Sequence, residues 1–180
     1  YSRCRNSRSV GTVNALDGAW AEYILMPARH LFHIPDTVSF DNAAMVEPAA
    51  TALCTVAQAG VAPGDAVLVL GSGTIGIAAA KLAKLSGAAR VVLVGRKAFK
   101  LRVALRMGAD AVINTAKKNI RDGVMDQFGR VEVDTVVAAS GSIDLLKAAL
   151  DIVRVGGSVA TVAFYDQRMD GLDIDRLVLR

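Results

Sequence analysis

Residues 66–87 read AVLVLGSGTIGIAAAKLAKLSG, and the reading of this stretch decides the fold. The run AVLVL (66–70) is apolar without alternation, as expected of a strand buried on both faces of a sheet. GSGTIG (71–76) follows at once, and then a small-residue-rich helical stretch closed by Gly87. Such glycines are a weak sign alone. Between a buried strand and a helix they form the fingerprint of a turn that cradles a dinucleotide pyrophosphate. Gly71 permits the tight turn, Gly73 lets the backbone approach the pyrophosphate, and Gly76 lets the helix pack on the sheet. The free N–H groups and positive dipole end of the helix face the anion.

The alternation continues outward. VVLV (91–94) reads as a second strand, 97–108 as a second helix, and AVIN (111–114) as a third strand. In 119–129, Ile120, Val124, Met125 and Phe128 share one helical face. DTVVAAS (134–140) is a fourth strand, 143–157 a helix ending in two glycines, and SVATVAF (158–164) a fifth strand. Strands alternating with helices indicate βαβ units, so the expected fold class is α/β, an open doubly wound parallel sheet. Upstream, 1–14 is polar and aperiodic, and 18–27 holds a short strand-like run. The segment from Leu31 to Gly60 passes from loop into helix, with Asp41 as a candidate cap and Pro48 as a break. The tail 165–180 is mixed and weakly helical.

At the end of the second strand the fingerprint calls for an acid that takes the adenosine ribose hydroxyls. Gly95 stands there, followed by Arg96. A carboxylate at that place repels a 2′-phosphate, whereas glycine removes the charge and leaves room. Arg96 offers a planar fork of donors to the phosphate, and Lys97 and Lys100 add positive potential. The expected cofactor is therefore NADP(H). Arg102 and Arg106 read as a solvated helix face.

Bulk properties exclude other classes. The 180 residues are 53% hydrophobic, with mean hydropathy +0.39, which supports a packed core and argues against disorder. The net charge of +4 is spread along the chain and aromatics are only 5%, so nucleic acid is not an expected partner. No apolar run approaches the ~18 residues of a membrane span. No signal peptide is visible, and Cys4 and Cys54 make no disulfide framework. The expectation is a cytoplasmic protein with reduced cysteines. Because the first residue is Tyr1, the chain reads as a fragment.

DGAWAEYILMPARHLFHIPDTVSFDNAAMVEPAATAL, PGDAVLVLGSGTIGIAAAKLAKLSGAARVV, MGADAVIN, VDTVVAASGS and VRVGGSVATVAF follow one another in an order and spacing that resemble the medium-chain dehydrogenase/reductase superfamily. VEPAATAL is similar to its zinc-dependent alcohol and polyol branch, the sorbitol and threonine dehydrogenases. The resemblance implies that 1–48 is a remnant of a GroES-like catalytic domain and 49–180 the dinucleotide-binding domain, its last strand lying beyond the chain. It places Glu47 at the catalytic zinc, as a ligand or through its water. It places Thr51 beside the nicotinamide ring, Thr74 and Ile75 with Gly71, Ser72, Gly73 and Gly76 at the pyrophosphate, and Lys100 near the adenosine ribose with Gly95 and Arg96. Ala139, Ser140 and Val162 match positions lining the nicotinamide side.

The resemblance further implies hydride transfer between NADP(H) and a secondary alcohol, polyol or ketone, with catalytic Zn2+ as Lewis acid and a homo-oligomer as the assembly of the longer protein. The cysteine and the His-Glu pair that complete the family's zinc site have no counterpart here, and His30 and His33 do not match them. In the stretch that resembles the structural-zinc lobe only Cys4 is in place, with Tyr1 and Thr12 where other ligands would fall, so a structural zinc is not expected. Cys54 is expected in the core. Two alternatives stand beside this reading: a zinc-independent NADPH quinone or enone reductase, against which Glu47 argues, and a non-catalytic NADPH-binding module.

Overall fold

In the computed structural model, residues 10–11, 16–166 and 168–171 are described. In chain order the elements are α1 (Phe40–Ala43), α2 (Val46–Gln58), β1 (Ala66–Leu70), α3 (Thr74–Leu85), β2 (Arg90–Gly95), α4 (Ala98–Met107), β3 (Ala111–Asn114), α5 (Ile120–Phe128), β4 (Val133–Ala138), α6 (Ile143–Ile152) and β5 (Val153–Thr161). The five strands form one sheet in the order β3-β2-β1-β4-β5, and every neighbouring pair is parallel. The α/β doubly wound sheet expected from the sequence is therefore present.

The apolar runs are continuous because both sheet faces are covered. Val67, Val69, Val91, Leu93 and Val137 point to one side, where they pack with Ala52 and Val56 of α2, Ala79, Ala80 and Ala83 of α3, and Leu101 and Ala104 of α4. Leu68, Leu70, Val92, Val94, Ile113 and Val136 point to the other, against Val124 of α5 and Ala149 and Ile152 of α6. Alternate residues of each strand thus feed opposite cores. The Ala-rich face of α3 lets it lie close to the sheet.

Chain contacts divide the protein into Tyr1–Ala43 and Ala44–Arg180; the sheet belongs to the second unit. In the first, Val10 bridges Leu16 and a single 3-10 turn spans Ala28–His30. The strand-like run at 18–27 pairs with nothing among its described residues, because alternation supplies only half of a strand and the hydrogen-bonded neighbour supplies the rest. His30 and His33 are exposed.

Four further expectations are corrected. The helical break falls at 44–45, before Pro48, which sits in the first turn of α2 where a missing N–H leaves no bond unmade. Asp41 lies within α1 and caps nothing. Cys54 is exposed on α2, not in the core. The helix expected over 143–157 ends at Ile152, and β5 begins at Val153 and runs through the two glycines. Val153 is buried and pairs with Val133, then the register jumps so that Thr135 meets Ser158. Gly156, at φ 69°, takes up the extra chain of this bulge. Tyr1, Cys4, Thr12 and residues 172–180 lie outside the described residues. None of the described helices is long and apolar enough to cross a membrane.

Candidate functional site

The strand order reverses direction between β1 and β4: β2 and β3 follow on one side, β4 and β5 on the other. In open parallel sheets the crevice at such a switch, beyond the carboxyl ends of the strands, is where ligands bind. A cleft of about 400 Å³ lies at this edge. Its walls come from the turn after β1 (Gly71, Ser72, Gly73), the end of β2 and start of α4 (Gly95, Arg96, Lys97, Lys100), Thr115 after β3, and Ser140, Ser142, Asp144 and Leu145 after β4.

The turn is built by close approaches. Gly71 has φ 118°, and a Cβ there would stand 2.6 Å from the Ala139 carbonyl oxygen. A Cβ on Gly76 would overlap the Gly71 carbonyl oxygen and come within 3.0 Å of its carbon. Both positions admit only glycine. Gly73 caps α3, and a Cβ on it would meet nothing within 4 Å. The Ala139 N–H donates to the Leu70 carbonyl at 2.8 Å, and Val162 N–H to Ala138 at 3.0 Å, so the chain leaving β4 and β5 is held beside the turn. Ala139, Ser140 and Val162 are half-buried there, Thr74 is exposed and Ile75 packs against the core.

Arg96 and Lys97 are exposed and Lys100 is half-buried. None of the three enters an ion pair among the described residues. The room expected beside Gly95 is not empty. A Cβ on Gly95 would come within 2.7 Å of the Ser72 Cβ and closer still to its hydroxyl, and within 3.1 Å of Leu101 Cδ2. The Ser72 side chain fills that space.

Thr115, Ser142, Asp144 and Leu145 were not legible as site residues. Gly95 pairs with Asn114 in the β2–β3 register, which brings the next residue, Thr115, to the cleft with its hydroxyl 3.5 Å from the Gly95 carbonyl. Only the register shows this. Ser142 did carry a signal: it caps α6, accepting from the Leu145 N–H at 3.4 Å, and the SIDL pattern of a capped helix start is visible in the sequence.

Glu47 and Thr51 stand apart from the cleft lining, one turn apart on α2. Glu47 is exposed and accepts a hydrogen bond from Thr51 Oγ1 at 3.2 Å. The Thr55 hydroxyl in turn donates to the Thr51 carbonyl at 2.9 Å. No three His, Cys, Asp or Glu side chains among the described residues come together as a metal site. The glycine turn between β1 and α3 has the form that a dinucleotide pyrophosphate requires; a zinc ion would need donors beyond the described residues.

A family model described as zinc-binding dehydrogenase matches residues 74–180. This chain belongs to the zinc-binding dehydrogenase family. Its place within the medium-chain dehydrogenase/reductase superfamily follows. The chain is 39% identical over 158 residues to an L-threonine 3-dehydrogenase of Escherichia coli, covering 87% of this chain and 45% of that protein. The match to the same-named protein of Shewanella woodyi is of equal identity and extent. Among solved structures, a zinc-binding dehydrogenase of Sinorhizobium meliloti 1021 bound to NADP superposes with TM-score 0.88 at 31% identity, covering 98% of this chain and 52% of that one. The chain spans about half the length of these relatives.

Proposed function

We propose that the chain binds NADP(H) in the cleft at the carboxyl edge of the sheet. The observation that carries this reading is the coincidence, in one cleft, of a turn whose Gly71 admits no Cβ with three cationic side chains that form no ion pair among the described residues. Gly71, Ser72, Gly73, Thr74, Ile75 and Gly76 hold the pyrophosphate against the α3 N-terminus. Arg96 and Lys100 take the 2′-phosphate, Lys97 adds to the field, and Thr51, Ala139, Ser140 and Val162 border the nicotinamide side. The 2′-phosphate meets no carboxylate at position 95. The S. meliloti relative's bound NADP supports the same choice.

We further infer that the longer protein is an oxidoreductase acting on a secondary alcohol, polyol or the corresponding ketone. The cofactor supplies the hydride chemistry; this chain holds and orients it. The name shared by the curated relatives makes L-threonine the first alcohol to assay. Glu47 is proposed to face a zinc ion whose remaining ligands lie outside the described residues, and residues 1–48 to be part of the catalytic domain. Turnover of NADP with a panel of secondary alcohols, before and after dialysis against a zinc chelator, tests this reading. Loss of turnover on chelation and its return with Zn2+ are expected. Undiminished turnover in metal-free protein would instead favour the zinc-independent reductase.

A further inference from the structure

The chain leaving β5 is fixed at three points. The Val162 N–H donates to the Ala138 carbonyl at 3.0 Å. Two residues on, the Phe164 carbonyl lies against Gly141, where a Cβ would stand 2.6 Å from its oxygen. The hydroxyls of Thr161 and Tyr165 are hydrogen-bonded to one another at 3.0 Å, which ties the end of the strand to the residue four places further on. Given the NADP(H) reading on which this rests, we propose that Tyr165 is a positioning residue: its hydroxyl, held by Thr161, clasps residues 161–165 and so fixes the Val162–Ala163 backbone beside the nicotinamide half of the cofactor, leaving the adenosine half unaffected.

The three attachments differ in kind. The first joins main-chain groups, which almost any residues at 138 and 162 would supply. The second needs only that residue 141 lack a Cβ. The third depends on two side chains in partly wet surroundings: Thr161 is exposed and Tyr165 half-buried. Water can replace either partner, so the bond adds little to global stability. What it removes is the freedom of a segment that has left the sheet. The place of the clasp also separates the two halves of the cleft. β1 and β4 stand between β2 and β5, and neighbouring strands lie ~4.8 Å apart, so the exit of β5 is roughly 14 Å from that of β2, where Arg96 begins the cationic group. Loosening the clasp therefore reaches the nicotinamide end alone.

Tyr165→Phe removes the hydroxyl and keeps the ring. Without nucleotide, hydrogen exchange of the Val162 amide is expected to quicken roughly twofold to tenfold, the range of an ordinary hydrogen bond, with the urea midpoint little changed. Unchanged exchange would overturn the clasp. With nucleotide, the dissociation constant of NADPH is compared with that of adenosine 2′,5′-bisphosphate, which lacks the nicotinamide half. Tyr165→Phe is expected to weaken NADPH by the same factor, to lower the anisotropy of its bound nicotinamide fluorescence, and to leave the bisphosphate unchanged. Equal weakening of both ligands marks a merely structural loss and overturns the positioning role, as do unchanged NADPH affinity and anisotropy. Thr161→Val is expected to copy these effects, and the double variant to add nothing to either single one; additive losses would overturn the pairing. If the unaltered chain binds neither nucleotide, the NADP(H) reading fails, and Val162 exchange still decides whether Tyr165 holds the segment.

Discussion

The two edges of the sheet use charge in opposite ways. At the amino edge, charged groups are paired with one another and with the starts of strands. Asp134 accepts from the Ala66 N–H at 2.9 Å, from Arg154 Nε at 2.6 Å and from Arg130 at 3.1 Å. Asp110 accepts from the Val91 N–H at 2.7 Å and pairs with Lys84 at 3.0 Å. Asp65 accepts from the Ala62 N–H and the Thr135 hydroxyl. At the carboxyl edge Arg96, Lys97 and Lys100 form no ion pair among the described residues. Charge at one edge closes the fold; charge at the other stays available to a ligand.

The contrast can be broken from either side. The largest effect is expected from Gly76→Ala. Its methyl group would overlap the Gly71 carbonyl, so the turn must open; a loss of about 3 kcal/mol by urea unfolding and loss of measurable NADPH binding are expected. Next is Asp134→Ala, which strands three donors at the opposite edge. A loss of about 2 kcal/mol is expected, with the dissociation constant for NADPH unchanged, since partly exposed arginines recover water. Arg96→Ala should do the reverse: little change in the unfolding midpoint and about tenfold to 150-fold weaker NADPH, with NADH unaffected. Smallest is Ser142→Ala, which removes the α6 cap for about 1 kcal/mol.

The amino edge also predicts an acid response. Burial alone would raise the Asp134 pKa, but the Ala66 N–H, the Arg154 hydrogen bond and the charges of Arg130 and Arg154 together hold it below the usual 3.8. A carboxylate with a depressed folded-state pKa contributes stability that is complete above its unfolded value and is lost as pH falls through the folded one. Urea midpoints should therefore drop as pH falls below about 4, the ordinary carboxylate range. Asp134→Asn should flatten this part of the curve. An unchanged slope in the variant would assign the acid response to other carboxylates.

What was legible in the sequence follows the same division. The carboxyl edge is local: AVLVL, GSGTIG and VVLVGRK each carry their meaning in a few consecutive residues, so turn, strand end and cations could be named before any coordinates. The amino edge is not. Asp134 meets Ala66 and Asp65 meets Thr135 only because β1 and β4 are neighbours in the sheet, and no short pattern announces that. The α6–β5 border was misplaced for a related reason. IDLLKAALDIVRVGG keeps an apolar rhythm that suits a helix, yet Val153 and Arg154 are drawn into the sheet by pairing with β4 and by the Asp134 carboxylate. Thr115 entered the cleft through register, and the Ser72 side chain filled the space beside Gly95 through a contact between separate strand ends.

The most direct test is a pair of calorimetric titrations with adenosine 2′,5′-bisphosphate and adenosine 5′-monophosphate, which differ only in the group the carboxyl-edge cations are held to bind. The 2′-phosphorylated nucleotide should bind about tenfold to 150-fold tighter, and its advantage should shrink as salt is raised. Equal affinities, or tighter binding of the monophosphate, would contradict the account.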